Sequence, residues 1–456
     1  MVIGSPAAAH QGGSGKDAHI HNPLEFVPRA PGPALARGSW LLYGHDLANS
    51  RNAGRGGPSP SGARRLAGAW SLRSSDGGFT GTPIIAGRTL IAASAGGSVF
   101  AMDAATGRLR WKRDFNQPIY ATVAVSGDRV FVPVARPHAP SLASLRVSDG
   151  ARLWQSPLDS QRGSDVFGSP VVWKNTVYIG VSGGFGEHND PDLRLRGNIV
   201  AVDARTGRRR WKTYTVPEGS DGAPVWTTPA IDTRAGRLYV GTGNAYHAPA
   251  WTTTDAILSV RARDGALLGH HQAFGGDAYT HLGEQGPDFD FGSSPNLMRL
   301  TSGRLVVGEL QKSRMYWVRA ARTMKAVWSR MPGTTPARQF QDTISSTAYD
   351  GRAIYGQNDD GQVWSLARNG RQRWITEPLE GQSYSPVAVA NGVVYTLRKS
   401  GFLDARSTLT GRLLRRMNLG APCWGGISVA GGWVFAVTGM QDTVAGYVVA
   451  FRPRAT

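Results

Sequence analysis

The chain has a single cysteine, Cys423, among 456 residues. That excludes an intramolecular disulfide framework, a multi-cysteine zinc cluster, an iron–sulfur cluster and a CxxCH haem attachment, so no haem is expected. No apolar run reaches the roughly 20 residues that a membrane-spanning helix needs, so no span is expected. Acidic residues are scarce, 32 against 51 Lys and Arg, leaving a net charge of +19. Phe is scarce too, 14 residues against 59 Gly and 27 Pro, a balance that favours many turns joining short strands. HExxH and Walker A patterns are missing, which removes the commonest metalloprotease and nucleotidase signatures. Residues 1–38 read as a disordered Ala, Gly, Pro and His leader without the apolar centre of a secretory signal peptide.

One phrase recurs along the remaining chain, residues 39–456. A small residue and Pro lead into an apolar strand, a Gly turn, two more apolar strands, Asp-x-x-Thr-Gly, and finally Trp. The clearest copy runs Thr82-Pro83-Ile84-Ile85 through Asp103, Thr106-Gly107 and Trp111; a second runs Ser169-Pro170-Val171-Val172 through Asp203, Thr206-Gly207 and Trp211. Weaker copies end at Trp154, Trp328 and Trp374, and copies around Asp264-Gly265 and Thr410-Gly411 have lost the Trp. The spacing of roughly 40–60 residues is that of propeller blades. Each copy predicts a four-stranded antiparallel meander with Thr-Gly in its last turn, where Gly accepts positive φ. One such sheet cannot bury both faces, so copies stack radially until a ring closes. The strands at 433–436 and 447–451 lack an outer partner, and Ala69-Trp70-Ser71-Leu72 can supply it. The expectation is an all-β, eight-bladed propeller forming one domain, its repeated Trp residues acting as wedges between blades.

The phrase Ala-x-Asp-x-x-Thr-Gly-x-x-x-Trp resembles the repeat of the pyrroloquinoline quinone (PQQ) dehydrogenase superfamily, which also contains non-catalytic assembly propellers. Four further segments are similar to quinoprotein alcohol dehydrogenases. Val225-Trp226-Thr227-Thr228-Pro229 with Thr242-Gly243-Asn244 matches the stretch whose Trp is the floor under PQQ and whose Asn is a metal ligand. Pro287-Asp288-Phe289-Asp290 resembles the Trp-Asp-x-Asp motif, which implies Asp288 as catalytic base and metal neighbour and Asp290 as a further metal ligand. Gln311-Lys312-Ser313 resembles a motif whose Lys contacts the quinone oxygens. Val181-Ser182-Gly183-Gly184 resembles the loop over the other face of the cofactor, implying Ser182 and Gly183 as cofactor contacts. These enzymes then carry a metal-binding Glu where this chain has Phe185; Glu187 stands two residues on. They carry a cofactor-bonding Thr where it has Phe167. The Asp-x-Asp-Phe-Gly variant and the opening Trp40…Gly44…Asn49-Ser50-Arg51 look most like the polyvinyl-alcohol dehydrogenase branch.

The resemblance implies PQQ with Ca²⁺ or a lanthanide, oxidation of an alcohol (secondary or polymeric ones included), and a separate electron acceptor such as a cytochrome c. It also implies a periplasmic or secreted location, whereas the leader without an apolar centre reads as that of a cytoplasmic protein or of one whose signal was lost through a trimmed or misplaced start; a monomer is expected. The alternative is a non-catalytic propeller serving as an interaction scaffold. Strand order bears on this independently. Loops entering first strands and loops joining second to third strands share one face of a propeller. Trp226, Asp288, Asp290, Asn244, Lys312, Ser182 and Glu187 all fall on that face. The Arg-rich turns at 108–113, 208–212 and 412–416 fall on the opposite one. Without interleaved aromatics those turns do not predict a nucleic-acid site. Asn189-Asp190-Pro191-Asp192 reads as a solvated insert or a calcium loop, His270-His271 as surface, and Cys423 as a small buried residue.

Overall fold

The computed structural model describes residues 38–136, 139–333, 343–379 and 382–455. The leader expected over residues 1–38 lies, Gly38 apart, outside the described residues. The described chain forms eight four-stranded antiparallel sheets. Blade 1 consists of Ile84–Ala86, Thr89–Ala93, Ser98–Asp103 and Leu109–Asp114. Blades 2 to 7 occupy residues 124–157, 171–214, 230–272, 296–330, 348–375 and 388–418. Blade 8 is built from both ends of the chain: Ile427–Ala430, Trp433–Val437 and Gly446–Pro453 take Leu66–Ser74 as outer strand, with Trp70 opposite Ala450 and Gly68 opposite Phe451. This is the closure expected from the unpartnered C-terminal strands. Among the described residues no helix is long and apolar enough to cross a membrane.

The sequence phrase explains each blade. In blade 1 the second and third strands are buried throughout, whereas the outer strand buries only Trp111. In the last turn Asp103 Oδ1 accepts hydrogen bonds from the N–H groups of Ala105 (3.1 Å) and Thr106 (3.2 Å). Gly107 then takes a φ of 71°, a conformation that costs a residue with Cβ. The same glycine is also where the neighbouring blade docks, since a Cβ there would lie 2.7 Å from Trp70 Cε3.

That contact repeats around the ring. Trp70, Trp111, Trp154, Trp211, Trp328 and Trp374 each donate their indole N–H to a backbone carbonyl beside the last turn of the next blade, at 2.8–3.2 Å. Each also covers that turn's glycine. The blades expected to lack Trp place Gly269 and Arg415 at its position in the strand register. Trp70 is therefore both the wedge between blades 8 and 1 and part of the strand that closes the ring. Trp70→Ala is expected to destabilise the protein by about 3–5 kcal/mol, the usual cost of emptying a buried Trp site, read from urea unfolding.

Residues 40–53 thread across the innermost strands. Main-chain bonds tie them to blade 1 (Trp40 N to Ile85 O, 2.9 Å), blade 2 (Val125 N to Leu41 O, 2.9 Å), blade 4 (Ile231 N to Leu47 O, 2.6 Å) and blades 5 to 7 (Leu297 N to Ala48 O, 2.9 Å; Tyr349 N to Ser50 O, 2.8 Å; Val389 N to Arg51 O, 2.9 Å). Arg51 is fully buried. Its guanidinium donates to the carbonyls of Val387 (2.7 Å) and Ile427 (3.1 Å) and lies against Trp40 and Tyr43. The opening motif Trp40…Arg51 is thus an axial plug, and everything above it is a closed-bottomed funnel.

Candidate active site

Above the plug lies a cavity of about 420 Å³ on the axis, within the size range of small-molecule sites. Its wall is set by the residues that enter the first strands. A hydroxyl tier comes first. The backbone N–H groups of Thr82, Thr122, Ser169, Thr228 and Ser294 each donate to the hydroxyl of the next blade's Ser or Thr, at 2.7–3.1 Å, ending on Ser346. Tyr43 of the plug donates to Ser346 Oγ at 2.7 Å. Two residues earlier in each blade comes a second tier. Tyr120, Phe167, Trp226, Tyr384 and Trp424 fill it in blades 2, 3, 4, 7 and 8; Thr80, Gly292 and Ile344 fill it in blades 1, 5 and 6. Gly292 is required beside Trp226, because a Cβ there would approach the indole to 2.6 Å.

Over the Trp226 side stands a charged wall. Asp288 and Asp290 precede the first strand of blade 5, and Lys312 follows its second strand. Asp288 takes a φ of 57°, and Asp277 accepts bonds from the N–H groups of Asp288 (3.4 Å) and Phe289 (2.7 Å). Asp277, which no motif marks, thereby shapes the turn that presents Asp288. Lys312 Nζ donates to Asp288 Oδ1 at 2.5 Å and Asp290 Oδ2 at 3.0 Å, and lies 5.4 Å from the Trp226 ring centroid. All three charged residues are buried. In this arrangement Lys312 supplies the cation that two adjacent carboxylates require.

Asn244 sits directly behind. Its backbone N–H donates to Asp290 Oδ1 at 2.6 Å, and its side-chain amide donates to the carbonyls of Ala245 and Tyr279. Ser182 lines the cavity, as does Gly184. Gly183 does not line the cavity: it precedes the helical turn Gly184–Asn189, and a Cβ there would meet the Tyr246 hydroxyl at 2.3 Å. Within the helical turn Phe185 is 39% exposed beneath the Arg136 guanidinium. Glu187 faces inward, lines the cavity and accepts a bond from Tyr246 at 2.9 Å. Burial, then the charge of Asp290, lifts the Glu187 carboxyl to about 7.

Several residues without a motif belong to this region. His188 and His281 stack at 3.9 Å, joining the Gly184–Asn189 turn to the loop before blade 5 at the cavity edge. Phe167 stacks on Tyr120 at 5.2 Å. Asp190, in the stretch expected to be a solvated insert or calcium loop, is buried and paired with Arg162. His271, expected at the surface, is half-buried against Trp317 and Arg319. Cys423 is buried, as expected. The Arg-rich last turns project from the face opposite Asp288, by the strand order of the blades.

The donors suit a hard cation in kind, since carboxylate and amide oxygens prevail. Among the described residues, however, no three of His, Cys, Asp and Glu lie close enough to share a metal ion. A metal here needs the Asn244 oxygen and must compete with Lys312. A flat anionic cofactor fits more directly: Trp226 offers a face, Lys312 a charge, and the tier an aromatic surround.

Fold and site together define an eight-bladed quinoprotein-type propeller. The family model described as outer membrane protein assembly factor BamB, a PQQ-repeat family, matches residues 61–285 and 195–454, and the chain belongs to that family. Among curated proteins it is 25% identical to a polyvinylalcohol dehydrogenase of a Pseudomonas species, over 88% of this chain and 73% of that one. It is 24% identical to another from a Sphingopyxis strain, over 82% of this chain and 66% of that one. Among solved structures, quinohemoprotein alcohol dehydrogenase ADHIIG of Pseudomonas putida superposes with a TM-score of 0.78 at 18% identity, covering 92% of this chain and 81% of that one. That likeness establishes the fold.

Proposed function

We propose that the protein is a PQQ-dependent alcohol dehydrogenase that passes electrons to a separate acceptor such as a cytochrome c. The observation that carries this reading is the buried Asp288–Lys312–Asp290 group beside the Trp226 face in the axial cavity. The named sequence relatives support it. PQQ, when bound, supplies the two-electron oxidant. Asp288 accepts the hydroxyl proton of the alcohol at a carboxylate oxygen. The Lys312 ammonium, 2.5 Å from Asp288 Oδ1, favours the carboxylate form, which is the form able to accept a proton. Trp226 orients the cofactor plane, and the plug residues 40–53 close the funnel from below. Asn244, with Asp290 and Glu187, would supply the oxygen donors for Ca²⁺ or a lanthanide, Glu187 standing in for the ligand absent at Phe185. A pure scaffold has no use for a lysine and two carboxylates buried together, which have to be desolvated at a cost.

The test is reconstitution of the purified protein with PQQ and Ca²⁺, or PQQ and a lanthanide, followed by dye reduction over primary, secondary and polymeric alcohols. Turnover with no alcohol under either metal would favour the scaffold reading. Trp226→Ala is expected to weaken PQQ binding by about tenfold or more, since stacking adds on the order of 1 kcal/mol beyond area burial. Trp111→Ala, which removes a blade wedge, should leave it unchanged; equal losses in fluorescence titrations would make Trp226 another wedge. Cation affinity has a pH signature, because Glu187 must be ionised to ligate. Terbium luminescence should therefore weaken as pH falls through about 7, and Glu187→Gln should abolish that dependence. For folding the sign is reversed. A carboxyl raised by burial contributes stability at low pH that is lost as pH rises through its folded value.

A further inference from the structure

The face opposite the cavity is built from the first and last turns of the blades, and its charge is uneven. The last turns of blades 1 to 4 each hold a carboxylate that pairs with an arginine of its own blade: Asp103 with Arg110 (2.8 Å), Asp149 with Arg146 (2.7 Å), Asp203 with Arg210 (2.7 Å) and Asp264 with Arg261 (3.4 Å). The last turns of blades 5 to 7, residues 320–325, 367–371 and 407–412, hold no acid. In blade 8 the two chain ends meet in place of a turn, Arg454 N–H donating to Arg65 O at 3.0 Å. The first turns of blades 5 to 8 add one carboxylate, Asp350, which accepts the Tyr355 hydroxyl at 2.8 Å. On this half of the rim Arg322, Lys325, Arg371, Arg412, Arg65 and Arg454 are exposed. None of the six forms an ion pair among the described residues.

Unopposed cations along one rim repel one another and attract an anionic partner. The chain itself does not supply that partner. Residues 1–37 join the propeller at this face, through Gly38 beside Gly431, but carry two acids against three bases. A single-stranded nucleic acid is held by stacking as well as by charge. The exposed aromatic side chains among the described residues, Phe185, Tyr214, Trp251 and Phe274, all stand on the cavity side. The basic rim exposes leucine instead. Leu409 is 74% exposed at the crest of the blade 7 turn, the position that Arg205, Arg263 and Arg322 hold in blades 3, 4 and 5. Leu413 and Leu109, also exposed, directly follow Arg412 and Arg108. Successive turns of a propeller end near one plane, so they meet a flat surface together. Basic groups spread over a plane with apolar tips projecting from it suit an anionic bilayer: the guanidinium groups meet phosphate headgroups and the leucines enter the acyl boundary.

We propose that the face opposite the cavity, from blade 5 round to blade 8, docks on an anionic lipid membrane, with Leu409 as its inserting tip. The inference is independent of the chemistry in the cavity and stands or falls without it. Docked in this way, the protein turns its cavity away from the bilayer, so that whatever enters the cavity comes from the aqueous side.

The test is sedimentation of the full-length protein with sucrose-loaded vesicles of phosphatidylcholine, with and without an equal share of phosphatidylglycerol. Binding is expected to the anionic vesicles only. It should fall steeply from about 0.1 to 1 M salt, as the screening length drops from about 10 to 3 Å. Lys325→Gln, Arg371→Gln and Arg412→Gln combined should weaken it about a hundredfold, at about fivefold per basic residue. Arg146→Gln, Arg152→Gln and Arg263→Gln, in blades 2 and 4 where the turn holds a carboxylate, should together weaken it only a few-fold. Leu409→Gln should lower vesicle binding about tenfold through lost apolar burial, and leave retention on immobilised polyphosphate unchanged. All these side chains are exposed, and circular dichroism verifies the fold of each variant. Leu409→Cys carrying an environment-sensitive dye should show blue-shifted emission on anionic vesicles; Cys423 is buried and does not take the label. No sedimentation with anionic vesicles overturns the proposal. Full vesicle binding by Leu409→Gln, or an unshifted dye, overturns it too and makes the face a site for soluble polyanions. Equal losses in the two triple variants also overturn it, since the attraction would then follow net charge alone.

Discussion

Asp288→Asn should leave the propeller folded and PQQ bound while lowering alcohol turnover by about 10²–10⁴-fold, the range for loss of a positioned general base. The amide has the shape of the carboxylate, and Lys312 retains Asp290 as its anionic partner at 3.0 Å, so no buried charge is left alone. The backbone turn is held by Asp277, through its bond from Phe289 N–H at 2.7 Å. What the substitution removes is the atom that takes the hydroxyl proton. The check is steady-state dye reduction on reconstituted protein, with cofactor binding followed separately by fluorescence. Turnover that survives the substitution within a fewfold would move the base elsewhere, and Asp290 would be the next residue to test.

The fold could be read from the sequence because each blade repeats one physical solution. Asp103 and Asp203 bond the backbone of the last turn, Gly107 and Gly207 accept positive φ, and Trp111 and Trp211 dock on the following blade. Two blades without the Trp still showed their turn glycines, Gly265 and Gly411. Ring closure was readable for the opposite reason: an apolar C-terminal strand lacked a neighbour, and the segment at Trp70 had no blade of its own.

The site was only partly readable. Strand order alone placed Trp226, Asp288, Asp290 and Lys312 on one face, and the structure brings these four together. The exchange of Phe185 for Glu187 was not decidable from spacing, because it depends on a helical turn. At roughly 100° per residue, positions two apart in the Gly184–Asn189 turn point in nearly opposite directions, so Phe185 faces solvent and Glu187 the cavity. Gly183, the residue before that turn, packs against the Tyr246 hydroxyl instead of lining the cavity. Asp277 left no signal, since it bonds backbone N–H groups 11 and 12 residues on within one irregular loop, and the His188–His281 stack left none, since it joins loops far apart in sequence. The aromatic tier left only part of one: Trp226 stands two residues before Thr228-Pro229, whereas Trp424 is followed by Gly425-Gly426-Ile427, with no Pro on which to align it.

Removing the ammonium of Lys312 should be the most disruptive single change at the site. In Lys312→Met two buried carboxylates face one another with no cation between them, and breaking a buried pair in this way costs about 3–5 kcal/mol. Asp290 still receives the Asn244 N–H at 2.6 Å, which offsets only part of the loss. The remaining route to neutrality is proton uptake by the pair, which fixes the pH dependence. A carboxyl that is protonated in the folded state and ionised in the unfolded one contributes stability at low pH that is lost as pH rises through its folded value. The gap between variant and native protein should therefore be small near pH 4 and widen toward pH 8, measured by urea unfolding across that range. A divalent or trivalent cation offers the other remedy. Ca²⁺ or terbium should stabilise Lys312→Met more than the native protein, because the ion no longer competes with the ammonium 2.5 and 3.0 Å from the two carboxylates. Equal unfolding curves for the two proteins at pH 8, with or without metal, would mean that Lys312 is solvated in solution and that the charged wall on which the catalytic reading rests does not hold together.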